Sequence, residues 1–134
     1  MEKFNNLLKN FDLSYFGSGK HKITFDEMME LKKEDKAYIL DVRSAEENEL
    51  VSFNFSSNIP IEEIPERIDE IPTNKSIVVF CSSATRATIV SLYLQLNGFD
   101  DVKILLEGIS DLSSHFKPRY VLKNRESMKT IVKK

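Results

Sequence analysis

The chain has 134 residues, 41% hydrophobic and 30% charged, with a formal net charge of −2; this is the size and balance of one globular domain with a real core, and it excludes a wholly disordered chain. The single cysteine, Cys81, excludes an intramolecular disulfide framework and points to a reducing, cytoplasmic setting. The longest uncharged stretches, residues 50–61 and 87–99, fall short of the roughly 18–20 apolar residues that span a bilayer, and the Met1-Glu2-Lys3-Phe4-Asn5-Asn6 start reads as no secretory signal.

Leu7, Leu8 and Phe11 predict a short amphipathic helix in an N-terminal extension over residues 1–19, broken at a flexible Gly17-Ser18-Gly19 linker. The main domain is expected over residues 20–116. His21-Lys22-Ile23 reads as a short strand, and Thr24-Phe25-Asp26-Glu27 as a capping box opening a helix near 25–34. The apolar run Ala37–Val42 predicts a strand buried on both faces. Ser44-Ala45-Glu46-Glu47 is a second capping box, and residues 49–60 read as irregular with one short strand. Pro65 suits the first turn of a helix reaching Ile71, with Ile64, Ile68 and Ile71 on one side, before a turn at Pro72–Lys75.

Ser76–Phe80 is β-branched, apolar and uninterrupted, the strongest strand signal in the chain. A helix is expected from Arg86 to Asn97 with Gly98 as its left-handed stop. Val102–Leu105 reads as a last strand, Gly108 as a turn and Ile109–Phe116 as a final helix. Strands alternating with helices predict an α/β fold, a mostly parallel central sheet with helices on both faces. The remaining tail, residues 117–134, holds seven basic residues and one acid, so it carries +6 and the rest of the chain −8. Its Tyr120, Val121, Leu122, Met128, Ile131 and Val132 favour a structural tail that packs on the domain or on a second copy. Without an aromatic stacking platform, nucleic acid is not an expected partner.

In an open parallel sheet, ligands bind beyond the carboxyl ends of the strands. The strand ending at Phe80 is followed by Cys81-Ser82-Ser83-Ala84-Thr85-Arg86, so Cys81 stands between a strand end and a helix N-terminus. The free N–H groups and dipole there favour an anion such as a thiolate. Arg86 adds a fixed positive charge suited to an anionic substrate. A small buried thiol with no chemistry is the plain alternative.

The wider sequence resembles the rhodanese family. The resemblance is carried by Ile39-Leu40-Asp41-Val42-Arg43, Glu47, Asn58-Ile59-Pro60-Ile61, Ile77–Cys81, Asn97-Gly98-Phe99 and Leu106-Glu107-Gly108-Ile109, in that order across about residues 20–115. It implies a rhodanese-like three-layer fold and sulfur transfer through a persulfide on Cys81, with Arg86 in the catalytic loop and Ser82, Ser83, Ala84 and Thr85 binding substrate. Four residues separate Cys81 from Arg86, the loop length of the family's sulfurtransferases; related phosphatases and arsenate reductases carry one residue more. Several positions depart from the pattern. Val51-Ser52-Phe53 replaces Gly-His-Ile, Ala84 stands where Gly is common, Ser82 where thiosulfate users often have a cation, and Glu107-Gly108 where a Gly-Gly turn is usual.

With Ser82 in place of that cation the loop has one positive charge instead of two, so polysulfide or a protein persulfide is expected as a donor alongside thiosulfate. The expected partners are a small sulfur donor, a thiol or cyanide acceptor and a sulfur-carrier protein, with a homodimer as a further candidate. No membrane, cofactor or metal is expected, since His21 and His115 lack a ligand constellation. The other readings are a non-enzymatic persulfide carrier or regulatory binding module and, disfavoured by the short loop, a phosphatase or arsenate reductase of the same fold. Ser82, Ser83 and Thr85 either donate hydroxyl hydrogen bonds to the donor or satisfy the loop and cap the helix. Asp41, Arg43 and Glu47 are expected to be structural, with Arg43 and Glu47 paired at i and i+4.

Overall fold

The β-branched run at Ser76–Phe80 forms strand β4, the middle of five strands in a computed structural model that describes residues 1–119 and 121–123. Around it lie β1 (Lys22–Ile23), β2 (Ala37–Asp41), β3 (Ser57–Asn58) and β5 (Val102–Leu105), in the order β1-β5-β4-β2-β3. All four pairings are parallel, and β2 runs beside β4 from Ala37↔Ser76 to Asp41↔Phe80. The class is α/β, as the alternation of strands and helices predicts.

The period-two pleat sorts the core into two layers. Ile77, Val79 and Cys81 face one side with Leu40 and Val42, against Ala87, Val90 and Leu94 of α6 (Thr85–Leu96) and Ile64 of α5 (Ile64–Arg67). Val78 and Phe80 face the other side with Ile39, against Phe25 and Met28 of α3 (Phe25–Lys33) and Leu112 of α7 (Ile109–Ser114). Both capping boxes form as read. Thr24 and Glu27 exchange hydrogen bonds at α3, and Ser44 and Glu47 do so at α4 (Ala45–Leu50). Gly98, at φ +90°, ends the α6 region in the left-handed conformation only glycine adopts without strain.

Three expectations are corrected. Residues 17–19 are not a flexible linker. After α1 (Glu2–Leu8), the Asp12 carboxylate accepts the Tyr15 N–H and starts α2 (Leu13–Ser18), so Gly17 and Ser18 are helical and Gly19 is the left-handed stop at φ +71°. The helix expected from Pro65 to Ile71 is α5 alone, flanked by single 3₁₀ turns at Ile61–Glu63 and Ile68–Glu70. Pro65 sits in the first turn of α5, and Pro72 drives Ile71 before it into extended backbone (φ −91°, ψ 120°), which stops the helix there. The helix expected to reach Phe116 ends at Ser114, two residues short of it, and residues 118, 119 and 121–123 are helical again, with Leu122 exposed rather than packed. Tyr120 and the Met128, Ile131 and Val132 of the expected packed tail lie outside the described residues.

Candidate active site

β4 delivers Cys81 to the carboxyl edge of the sheet, and its pleat turns the thiol toward the α6 layer. The residue is only 2% exposed. Sγ accepts the backbone N–H of Ala87, the third residue of α6, at 3.4 Å. The helix N-terminus therefore points one of its free donors at sulfur, the arrangement that stabilises negative charge there.

The loop between strand and helix closes on Arg86. Its Nη1 and Nη2 donate to Glu47 Oε1 and Oε2 at 2.6 and 3.0 Å, and Nη2 also donates to Ser82 Oγ at 3.0 Å. This two-pronged fork is geometrically specific. It lowers the Glu47 carboxyl from 4.5 to about 2, the Arg86 bonds being the largest cause and the Ser44 N–H the next. Arg86 is in turn raised, first by its Glu47 bonds and in smaller part by the charges of Cys81 and Asp41.

The expected Arg43–Glu47 side-chain pair does not form. Arg43 turns inward and grips Asp41 through Nε···Oδ1 at 3.0 Å and Nη2···Oδ2 at 2.7 Å. Its remaining donors reach the Val51 carbonyl at 2.7 Å and the Glu47 carbonyl at 3.4 Å. Asn58 Nδ2 donates to the carbonyls of Asp41 and Arg43. Asp41 and Arg43 are thus a buried brace for the loop after β2. Glu47, freed from Arg43, belongs to the site. Sequence reasoning missed it because i,i+4 spacing shows only local partners, while Arg86 lies 39 residues away.

Ala84 holds φ +78°, the strained region for a residue with a Cβ, and is the N-cap of α6 with no side-chain capping bond. The loop thus keeps a left-handed turn without the glycine that would relieve it. Ser82 satisfies the loop through Arg86, whereas Ser83 and Thr85 are exposed. A second wall comes from the turn before α7. A Cβ on Gly108 would lie 2.7 Å from the Ser82 carbonyl oxygen, so only glycine fits against the loop there, and Ile109 N–H donates to the same oxygen at 3.4 Å. Beside it Glu107 receives the Phe25 N–H and meets His115 Nε2 at 2.7 Å, and the His115 ring stacks on Phe25 at 4.0 Å.

Cys81, Ser82, Ala84 and Arg86 therefore form one closed cradle joined to α4 and to the Gly108 turn. Among the described residues, no group of three or more His, Cys, Asp or Glu is placed to hold a metal. None of the described helices is long and apolar enough to cross a membrane.

Comparison with known proteins gives this cradle a context. The Rhodanese-like domain family profile matches residues 24–115. The chain is 26% identical over 106 residues to an adenylyltransferase and sulfurtransferase of Arabidopsis thaliana, covering 67% of this chain and 23% of that protein. It thus spans about a quarter of that longer relative. A sulfurtransferase of Allochromatium vinosum is 29% identical over 80 residues, covering 60% of this chain and 75% of that protein. The crystal structure of a rhodanese-related protein from Thermoplasma volcanium superposes with a TM-score of 0.61 at 25% identity, covering 70% of this chain and 92% of that one. The chain belongs to the rhodanese-like domain family.

Proposed function

We propose that the chain is a sulfurtransferase in which the Cys81 thiolate carries the sulfur. The observation that supports this most directly is the helix N–H at Sγ inside a loop closed by Arg86. The thiolate attacks the outer sulfur of a donor. A bond from Sγ to that sulfur forms as the donor's own bond to it breaks, and the electron pair leaves with sulfite, a shortened polysulfide or a thiolate. An acceptor thiolate, or cyanide in an assay, then attacks the terminal sulfur and returns the electron pair to Cys81. Each half-reaction moves one sulfur atom with no net redox change, and the kinetics are ping-pong. Loop and helix N–H dipoles stabilise the terminal sulfur anion. Arg86 fixes the loop's shape, while Ser83 and Thr85 offer exposed hydroxyls to the donor.

The Arg86 charge is compensated by Glu47, and position 82 is a serine. A dianionic donor such as thiosulfate therefore meets no free loop cation. The 2% exposure of Cys81 favours a slender donor. Both features favour polysulfide or a persulfide terminus. A protein persulfide, delivered by or passed to a sulfur-carrier protein, has the same reactive end. The test is steady-state turnover with thiosulfate and with polysulfide, using cyanide and a small thiol as acceptors. The expected result is parallel double-reciprocal lines and a higher kcat/KM for polysulfide. Persulfide formation without turnover favours a carrier module instead, a reading to which strained Ala84 lends weight.

A further inference from the structure

The turn that walls the Cys81 loop is itself fastened from two sides. Glu107 stands where the family pattern usually has glycine, and its carboxylate bridges two elements. Oε1 accepts the N–H of Phe25, the first residue of α3, at 3.3 Å. That amide is among the donors a helix leaves without an internal acceptor, and the positive end of the helix favours a carboxylate. Oε2 meets Nε2 of His115, the residue at the carboxyl cap of α7, at 2.7 Å. The His115 ring lies flat on Phe25, with 4.0 Å between centroids and 6° between planes, which closes the triangle. The carboxylate thus ties the start of α3 and the end of α7 to the residue directly before Gly108.

The turn in its place holds one peptide group of the loop. A Cβ on Gly108 would meet the Ser82 carbonyl oxygen at 2.7 Å, and the Ile109 N–H donates to that oxygen at 3.4 Å. The Ser82 side chain is held separately, its Oγ accepting from Arg86 Nη2 at 3.0 Å. A trans peptide is planar, with its C=O and N–H pointing in opposite directions. With the Ser82 carbonyl drawn to the Gly108 turn, the Ser83 N–H points away from that turn. A reversed peptide would exchange this donor for a carbonyl oxygen, which repels a sulfur anion.

We infer that Glu107 is a positioning residue for sulfur transfer. With His115 and the Phe25 N–H it holds the Gly108–Ile109 turn against the Ser82 carbonyl, and so fixes the Ser82–Ser83 peptide with its N–H turned to serve the terminal sulfur. Glu107 acts through the turn and not by contact with sulfur. Its effect on the reaction rests on the sulfurtransferase reading of Cys81, whereas the placement of the peptide does not.

Amide hydrogen exchange on the full chain reads that placement. In Glu107→Ala the Ile109 amide is expected to exchange about tenfold faster than in wild type, with Val78 and Val79 of β4 unchanged. Equal exchange at Ile109 overturns the inference, and so does an equal acceleration in β4, which would mean general loosening. Glu107→Asp keeps the charge on a shorter side chain and is expected to give a smaller acceleration at Ile109. If Glu107→Ala does not fold, no change in Glu107→Asp overturns the inference in its stead.

A second readout separates the two sulfur positions. Loading of Cys81 from polysulfide is expected to slow about tenfold in Glu107→Ala, because the terminal sulfur loses a placed donor. Alkylation of the same thiol by iodoacetamide displaces iodide and involves no terminal sulfur. It is expected to stay within about twofold of wild type, since Sγ keeps the Ala87 N–H. Glu107→Gln retains the length and an acceptor for the Phe25 N–H, and is expected to restore most of the loading rate. Loading that does not fall, or that falls together with alkylation, overturns the role in transfer. A wild type that takes up no sulfur refutes sulfur transfer and with it that role, while the exchange result still decides the placement of the peptide.

Discussion

Replacing Glu47 with glutamine removes the charge that clamps Arg86 while leaving the size of the side chain unchanged. The energy at stake follows from the carboxyl's displacement from 4.5 to about 2. At about 1.4 kcal/mol per pH unit, that displacement sets a ceiling of roughly 3 kcal/mol. A third of each side chain faces solvent, so screening reduces the expected loss to about 1–2 kcal/mol at neutral pH. The sign is set by the lowered value. The unfolded chain binds a proton on this group near pH 4.5, before the folded chain does, so the contribution is complete above that pH. It declines as the pH falls toward about 2, where the folded carboxyl also protonates. Urea denaturation of wild type and Glu47→Gln at pH 7, 4, 3 and 2 measures the difference directly. The two curves should converge at the acid end. A stability gap that stays constant down to pH 2, or none at pH 7, refutes the clamp.

Three other substitutions probe the same framework. Ala84→Gly relieves a left-handed Cβ worth about 1–2 kcal/mol and gives back about 0.4–1 kcal/mol through a looser unfolded chain; thermal unfolding should therefore show a net gain of a few degrees. An unchanged or lower midpoint would mean that residue 84 is not strained at φ +78°. Gly108→Ala brings a methyl to within 2.7 Å of the Ser82 carbonyl; persulfide loading of Cys81 should slow more than tenfold, and an unaffected rate separates that turn from the loop. Arg43→Met leaves Asp41, which is fully buried, without its partner. Such a broken pair costs about 3–5 kcal/mol, so a loss under 1 kcal/mol in urea denaturation contradicts the buried brace.

How much of the fold and the site was legible in the sequence depends on the range of the interaction. Ser76–Phe80 and Ala37–Asp41 declare themselves because strands buried on both faces need unbroken apolar runs. Thr24–Glu27 and Ser44–Glu47 are equally readable, since a capping box is complete within four residues. The positive φ of Ala84 follows from comparing one loop position with the family pattern. What escaped is long-range or competitive. Glu47 has two cationic candidates, and only the fold shows that Arg43 is drawn inward by Asp41, leaving Glu47 to Arg86. Glu107 joins Phe25 and His115 across 82 and 8 residues, a meeting that no periodicity announces. Gly17 and Ser18 mislead because glycine and serine suggest a linker, yet Asp12 supplies a local helix start.

The central claim is that Cys81 takes up sulfane sulfur. Its most direct test is intact-protein mass under non-reducing conditions, after reduced wild type and Cys81→Ser are each incubated with thiosulfate and, separately, with polysulfide. Sulfur transfer at this site predicts a gain of one sulfur atom on wild type alone, faster from polysulfide than from thiosulfate. A folded, reduced wild type that gains no sulfur from either donor, or a Cys81→Ser protein that gains it equally, contradicts the claim.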